Sequence, residues 1–255
     1  MENILSDLTG KTYLVTGASS GIGAATALAL GRVGANVVLA ARQETACREL
    51  AEQIVASGGQ ALVVRTDIGV EQQVREAVSA TVQHFGRLDG AFNNAGTLGV
   101  AAPLHEIGSD DFMQVMRINV LGVFWSMKYQ IEAMLQSGGG AIVNNASITS
   151  QLGFPSLSPY NASKHAVVGL TRTAGLEYFQ RGIRINAVSP GPVATPMAVQ
   201  GFGGPDRLQA AMIDSPAGRA GSPDEIAKPV LFLLSEAASY FSGQSITIDG
   251  GFTVQ

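Results

Sequence analysis

Residues 12–42 read TYLVTGASSGIGAATALALGRVGANVVLAAR. The apolar run at 12–17 is typical of a buried strand, 21–33 of an alanine-rich helix, and 35–42 of a second buried strand. A glycine-rich turn joins the first strand to the helix, as a sharp change of direction requires. This order predicts a βαβ unit, whose two strands belong to one parallel sheet.

The same alternation of strands and helices continues along the chain. Further strands are predicted at 60–67, 87–96, 141–147, 183–191 and 245–251, and further helices at 44–57, 70–85, 109–136, 159–181 and 223–234. We therefore predict an α/β fold, a single-domain Rossmann-like doubly wound parallel sheet of about seven strands over residues 1–255. The proline- and glycine-rich stretch at about 192–222 is predicted to be a substrate loop or lid.

Composition argues against several classes of function. The formal net charge is −4 and lysine and arginine are not clustered, which argues against nucleic-acid binding. No apolar run reaches the roughly 18 residues of a membrane span, and residues 1–10 lack the pattern of a secretory signal. Cys47 is the single cysteine, and it has no metal-ligand spacing around it. We predict a cytoplasmic protein with no metal site and no nucleic-acid or membrane partner.

The turn at 16–23, TGASSGIG, is a candidate dinucleotide site. Its glycines expose backbone amides at the start of a helix, where a pyrophosphate can accept hydrogen bonds. The spacing differs from G-x-G-x-x-G, so an ordinary strand–helix turn is the alternative. The second strand ends with Ala41 and Arg42, where an NAD enzyme usually has a carboxylate. A guanidinium suits a 2′-phosphate, so we predict NADP(H) over NAD(H), with a solvated surface arginine as the alternative.

Three polar residues indicate the chemistry. Tyr160 and Lys164 lie four apart on one helix, and Ser147 lies at the tip of the fifth strand, at the same edge of the sheet. A phenol can protonate a ketone oxygen if a nearby ammonium lowers the phenol pKa from ~10. A serine hydroxyl can hold that oxygen as it gains charge. A surface Tyr-x-x-x-Lys pair is the alternative, so this prediction depends on the glycine turn.

Together these motifs resemble the short-chain dehydrogenases/reductases, over about residues 9–251. The matching segments are TGASSGIG at 16–23, Asp67, NNAG at 93–96, Asn119, Ser147, YNASK at 160–164 and PG at 190–191. The resemblance implies that Tyr160 is the general acid in reduction and the base in oxidation. It implies that Lys164 binds the nicotinamide ribose and lowers the Tyr160 pKa. Ser147 would orient the carbonyl, and Asn119 would hold a water in a proton relay.

The resemblance also implies an NADP(H)-dependent oxidoreductase that interconverts a ketone and a secondary alcohol. The glycine turn would hold the pyrophosphate, while other positions would contact the adenine, the riboses and the nicotinamide. The implied cofactor positions are Gly17, Ser19, Ser20, Gly21, Ile22, Gly23, Arg42, Asp67, Ile68, Asn94, Ala95, Gly96, Tyr160, Lys164, Pro190, Gly191, Val193 and Thr195.

Substrate and assembly are predicted more coarsely. Segments 97–103, 149–159 and 193–212 supply mostly apolar side chains, so we expect an apolar ketone or alcohol. One alternative is a 3-oxoacyl-acyl-carrier-protein reductase, although residues 132–141 offer an acidic carrier no basic side chain. Another is a non-enzymatic dinucleotide-sensing protein, which should have lost one of the three polar residues. Apolar residues on several faces of the two long helices, with the resemblance, predict a homotetramer.

Overall fold

A computed structural model describes residues 6–255. The strands are β1 Thr12–Thr16, β2 Asn36–Ala41, β3 Gln60–Arg65, β4 Gly90–Asn93, β5 Gly140–Asn145, β6 Ile183–Pro190 and β7 Ser245–Ile248. They form one parallel sheet in the order β3-β2-β1-β4-β5-β6-β7, which confirms the predicted fold class. Residues 1–5, where part of the secretory-signal prediction falls, lie outside the described residues.

Helices cover both faces of this sheet. They are α1 Gly21–Arg32, α2 Glu44–Ala56, α3 Glu71–Phe85, α4 Ser109–Met116, α5 Gly122–Ser137, α6 Ser158–Tyr178, α7 Pro196–Phe202, α8 Pro205–Met212 and α9 Pro223–Leu234. In β1, Tyr13 and Val15 pack in the layer of α1, α2 and α9, whereas Leu14 packs in the layer of α3, α5 and α6. Burial on both faces explains why β1 is a continuous apolar run.

The strand order places a crevice at one edge of the sheet. β1 pairs with β2 on one side and with β4 on the other, so the connections after β1 and β4 leave in opposite directions. Ligands bind at such a switch point, outside the carboxyl ends of the strands. Here the segments after β1 and β4 touch, because the backbone N–H groups of Asn94 and Ala95 donate to Thr16 Oγ1 at 3.0 and 3.1 Å.

The helix predicted at 109–136 is interrupted. α4 ends at Met116, a π-helical turn occupies Arg117–Leu121, and α5 begins at Gly122. The prediction of one continuous α-helix is wrong at this point. A π-helical turn accommodates one extra residue, and the spacing of apolar residues in the sequence does not reveal it. Asn119 lies in the middle of the π-helical turn.

The stretch at 192–222 is not a long loop, because it contains α7 and α8. Thr195 caps α7 by accepting a hydrogen bond from the Ala198 N–H at 3.2 Å, and both helices have proline in their first turn. Gly203 ends α7 in the left-handed conformation, with φ 78°. The prolines and glycines that indicated a loop are therefore the start and stop signals of two short helices.

The described chain offers neither a membrane span nor a metal-ligand cluster. No helix within residues 6–255 is long and apolar enough to cross a bilayer. Within the same range, no group of three or more His, Cys, Asp and Glu side chains is arranged to hold a metal ion. Cys47 is buried on α2.

Candidate active site

A cavity of about 460 Å³ opens at the carboxyl ends of β1 and β4. Most of the predicted cofactor positions line it, although they come from elements far apart in the sequence. These are Gly17, Ser19, Ser20, Gly21, Ile22, Arg42, Asp67, Ile68, Asn94, Ala95, Gly96, Tyr160, Lys164 and Thr195. The sheet topology therefore brings the motifs together as the switch point requires.

Four predicted cofactor positions do not line the cavity. Gly23 is under the glycine turn, where a Cβ would collide with the Gly17 carbonyl oxygen. Pro190 ends β6, Gly191 packs against the loop after β7, and Val193 is buried. Direct contact of these residues with a cofactor stays a prediction.

Glycine is required in the turn for two geometric reasons. Gly17 and Gly21 have φ of 63° and 56°, which side chains with a Cβ rarely adopt. A Cβ on Gly17 would also lie 2.8 Å from the Cα of Ala95. The turn consequently presents the amino-terminal end of α1 to the cavity. The first N–H groups of a helix lack intrahelical partners and carry the positive end of its dipole, so they suit a pyrophosphate.

The rim near β2 carries the residues that bear on cofactor preference. Arg42 is exposed there, and its neighbours Ala41 and Gln43 also line the cavity. The Ser19 hydroxyl donates to Gln43 Oε1 at 3.0 Å. On the other side, Asp67 Oδ1 accepts a hydrogen bond from the Gly69 N–H at 2.9 Å. The β2 side of the rim therefore carries the Arg42 guanidinium and the Gln43 amide. A carboxylate at this position would repel a phosphate, and neither residue has one.

The opposite end of the cavity carries the predicted acid–base residues. Lys164 Nζ lies 5.5 Å from the centroid of the Tyr160 ring and donates to the Asn145 carbonyl at 2.6 Å. Ser147 lies near enough to the Tyr160 hydroxyl to lower its pKa. Lys164 and Ser147 are both buried. The structure thus brings Ser147, Tyr160 and Lys164 together.

Burial dominates the protonation of these groups. It raises the pKa of Tyr160 to about 12, and the nearby Ser147 acts in the opposite direction. Burial also lowers the pKa of Lys164 to about 8. That Lys164 lowers the Tyr160 pKa stays a prediction, and without a bound cofactor the Tyr160 pKa lies above its ordinary value. The reason is that burial disfavours the charged forms of both groups, phenolate and ammonium alike.

Asn119 lies behind this end of the cavity and is fully engaged as a donor. Its Oδ1 accepts the Thr97 N–H at 2.8 Å, and its Nδ2 donates to the Thr97 carbonyl at 2.9 Å and to Ser163 Oγ at 3.0 Å. Ser163 Oγ in turn donates to the Tyr160 carbonyl at 2.7 Å. The side chain of Asn119 therefore joins the loop after β4 to α6, and its role toward a relay water stays a prediction.

Several lining residues were not among the predicted cofactor positions. They are Ala41, Gln43, Thr66, Thr97, Gln114, Ile118, Asn145, Pro196 and Met197. Each is next to or near a predicted residue in sequence or on a helix, so proximity to a motif was the available signal. Motif matching alone does not rank such neighbours, because it selects only the positions that make up the pattern.

The predicted apolar substrate segments divide between the cavity and their own packing. Met197 lines the cavity, whereas a Cβ on Gly201 would lie 2.9 Å from Leu98 Cδ2, so α7 packs on the segment after β4. Phe154 stacks on Phe252 with ring centroids 6.2 Å apart. The C-terminal segment therefore supports the loop between β5 and α6.

Comparison with known proteins agrees with this geometry. A sequence family described as "Enoyl-(Acyl carrier protein) reductase" matches residues 17–253. The 2,5-dichloro-2,5-cyclohexadiene-1,4-diol dehydrogenase of Sphingobium indicum is 45% identical over 251 residues, 98% of this chain and 99% of that protein. Cyclohexanol dehydrogenase of Acinetobacter sp. is 41% identical over 255 residues, 99% of each chain. A crystal structure of levodione reductase has a TM-score of 0.93 and 36% identity, covering 96% of this chain and 98% of its own.

The fold, the cavity and these likenesses define an oxidoreductase that uses a nicotinamide dinucleotide and interconverts ketones and secondary alcohols. The chain belongs to the short-chain dehydrogenase/reductase family, which confirms the resemblance found in its sequence.

Proposed function

We propose that this protein is an NADP(H)-dependent dehydrogenase/reductase of a cyclic secondary alcohol and its ketone, with Tyr160 as the acid and base. The observation that carries the proposal is the meeting of Ser147, Tyr160 and Lys164 at one end of the cavity. A bound nicotinamide would supply or take up the hydride. The protein's own residues orient the substrate oxygen and exchange its proton.

Each of the three side chains has a distinct task. Ser147 Oγ accepts the Thr149 N–H at 3.2 Å, which leaves its own hydrogen to be donated to the substrate oxygen. The Tyr160 hydroxyl gives its proton to that oxygen in reduction and takes it back in oxidation. Lys164 places a buried cation close to the phenol, which favours the phenolate as the proton leaves.

The preference for NADP(H) is supported by the rim near β2. Arg42 is exposed beside the cavity and follows Ala41, so no carboxylate occupies the strand end. A guanidinium can bind a 2′-phosphate through charge-assisted hydrogen bonds. The glycine turn, Asp67 and Ile68, and Asn94 to Gly96 would contact the rest of the dinucleotide.

The substrate class is supported by the relatives. Two of them are named for six-membered carbocyclic alcohols, a cyclohexadienediol and cyclohexanol. An apolar ring also suits the side chains of Pro196 and Met197, which line the cavity. We therefore place cyclohexanol-like alcohols and the corresponding ketones first among the substrates.

Particular residues argue against the two alternative functions. The dinucleotide-sensing alternative is disfavoured because Ser147, Tyr160 and Lys164 are all in place. The acyl-carrier alternative is disfavoured because residues 132–141 carry no basic side chain. Exposed apolar residues on the long helices, among them Phe124 and Leu176, support the proposed homotetramer. The cytoplasmic location stays a prediction.

The test is a comparison of wild type with Tyr160→Phe over a panel of cyclic ketones and alcohols and one 3-oxoacyl thioester, with NADPH and with NADH. We expect kcat to fall about 100- to 10,000-fold in the variant, far more than the Kd for NADPH changes. Tyr240→Phe is the matched control, because Tyr240 is 91% exposed. Equal turnover by wild type and Tyr160→Phe would remove Tyr160 as the acid.

A further inference from the structure

We propose that Asn145 is a further cofactor-binding residue, whose side-chain oxygen accepts a hydrogen bond from the nicotinamide half of the dinucleotide. Asn145 ends β5 and lines the cavity together with Tyr160 and Lys164. The inference rests on the proposed function, because it requires a dinucleotide with its reacting ring beside Tyr160.

The orientation of the Asn145 amide is set by its neighbours. Asn94 Nδ2 donates to the carbonyls of Thr16 and Gly17 at 3.1 and 3.2 Å. The atom that Asn94 turns toward Asn145 is therefore its acceptor, Oδ1. The partner atom at 3.0 Å must be the donor Nδ2 of Asn145, since an amide oxygen cannot donate. A chain of amides thus runs from the glycine turn to Asn145 and leaves Asn145 Oδ1 at its end.

Asn145 Oδ1 has no hydrogen-bond partner among residues 6–255 and exposes less than 1 Å². A buried acceptor without a donor is destabilising, so this oxygen is suited to a donor that arrives with a ligand. The cofactor phosphates are acceptors and cannot serve. The hydroxyls of the nicotinamide ribose and the carboxamide N–H groups can serve, and both belong to the half of the cofactor that must lie near Tyr160. Because Asn145 Oδ1 is buried, the cofactor must pack directly against Asn145 for this hydrogen bond to form.

The backbone of Asn145 reinforces this role. Its carbonyl accepts the hydrogen bond from Lys164 Nζ at 2.6 Å. One residue therefore connects the glycine turn, through Asn94, with the buried lysine of the proposed proton-exchange site. A ligand that binds Asn145 Oδ1 is therefore positioned relative to both the glycine turn and Lys164.

The test measures binding rather than turnover, with Asn145→Leu, which is close in size and has no acceptor. NADPH and 2′,5′-ADP, which lacks the nicotinamide half, are titrated calorimetrically. We expect the Kd of NADPH to rise about three- to tenfold, as loss of one hydrogen bond implies, and the Kd of 2′,5′-ADP to stay unchanged. 2′-Phospho-ADP-ribose identifies the donor: weaker binding assigns a ribose hydroxyl, and unchanged binding assigns the carboxamide.

Two results would overturn the proposal: an unchanged Kd for NADPH, or an equal loss for NADPH and 2′,5′-ADP. Asn36→Leu is the matched control, because Asn36 Nδ2 donates to the Gly10 carbonyl at 3.2 Å, at the other end of the strands. If Asn145→Leu does not fold, Asn145→Ser is titrated instead and the same selective loss is expected. Wild type is measured first. If it fails to bind NADPH or to reduce ketones, the proposed function itself is wrong; if only the variant comparison fails, the Asn145 role alone is wrong.

Discussion

The side chain of Asn119 pairs with the backbone of Thr97 much as a neighbouring β-strand would. Asn119 Oδ1 accepts the Thr97 N–H at 2.8 Å, and Asn119 Nδ2 donates to the Thr97 carbonyl at 2.9 Å. The second hydrogen of Nδ2 reaches Ser163 on α6. Because Thr97 lines the cavity and α6 carries Tyr160, this one amide sets the distance between a cavity wall and the proposed acid.

Asn119→Ala should therefore affect stability and turnover together. The substitution leaves the N–H and carbonyl of Thr97 without their side-chain partner and removes the donor to Ser163 Oγ, so we expect the free energy of unfolding to fall by about 2–4 kcal/mol. We also expect a lower kcat, because the position of Tyr160 relative to Thr97 is no longer fixed. Urea denaturation and steady-state kinetics check both effects. Asn119→Asp, which keeps the acceptor for the Thr97 N–H, should be intermediate in stability. An alanine variant as stable as wild type would contradict this role.

Gly23→Ala should damage the glycine turn although Gly23 does not line the cavity. A Cβ there would collide with the Gly17 carbonyl and lie 2.6 Å from Asn94 Nδ2. We expect a loss of about 1–3 kcal/mol of stability, as for other overpacked sites, and much weaker NADPH binding in a calorimetric titration. Gly169→Ala on α6 is the matched control, because nothing lies within 4 Å of its added Cβ. That control should be slightly stabilising; equal behaviour of the two variants would count against the packing argument.

The sheet and most of the cavity lining could be predicted from sequence because the strands are buried on both faces and run parallel. Strands buried on both faces, such as β1 and β2, form apolar runs that cannot be confused with the amphipathic helices between them. Parallel order then places every strand's carboxyl end at one edge, so motifs that follow strands must converge. Twelve predicted cofactor positions that follow strands line the cavity for that reason, from Gly17 to Thr195, and Tyr160 and Lys164 reach it from α6.

The parts that sequence could not predict depend on packing at single residues. The π-helical turn at Arg117–Leu121 places Asn119 without any proline or glycine to mark it in advance. The role of Asn145 depends on which way the amide of Asn94 points, which follows from the carbonyls of the glycine turn. The raised pKa of Tyr160 depends on burial, which residue spacing along a helix does not report.

Arg42→Ala should separate the two nicotinamide cofactors. Removing the guanidinium beside the cavity should raise the KM for NADPH roughly tenfold or more, as expected for a charge-assisted hydrogen bond, with little change for NADH. Ala41→Asp should move preference further toward NADH by adding a carboxylate for the ribose hydroxyls. Arg32→Ala, an exposed arginine at the end of α1, is the control. Equal changes in both KM values would show that the 2′-phosphate is bound elsewhere.

Lys164→Met should make the cofactor-free protein more stable at neutral pH, while abolishing turnover. Burial lowers the pKa of Lys164 to about 8 from an ordinary value of 10.5. Between these values the unfolded chain binds the proton more tightly, so the lysine's unfavourable effect on folding is complete below pH 8 and disappears as the pH rises toward 10.5. After allowing for the lost hydrogen bond to Asn145, we expect a gain of about 2 kcal/mol at pH 7. Urea denaturation should show a smaller gain in the free energy of unfolding at pH 10 than at pH 7. Lys228→Met, at an exposed position, is the control and should show no gain that depends on pH in this way. A variant less stable than wild type at pH 7 would mean that the buried ammonium is better solvated by the Asn145 carbonyl than its burial implies.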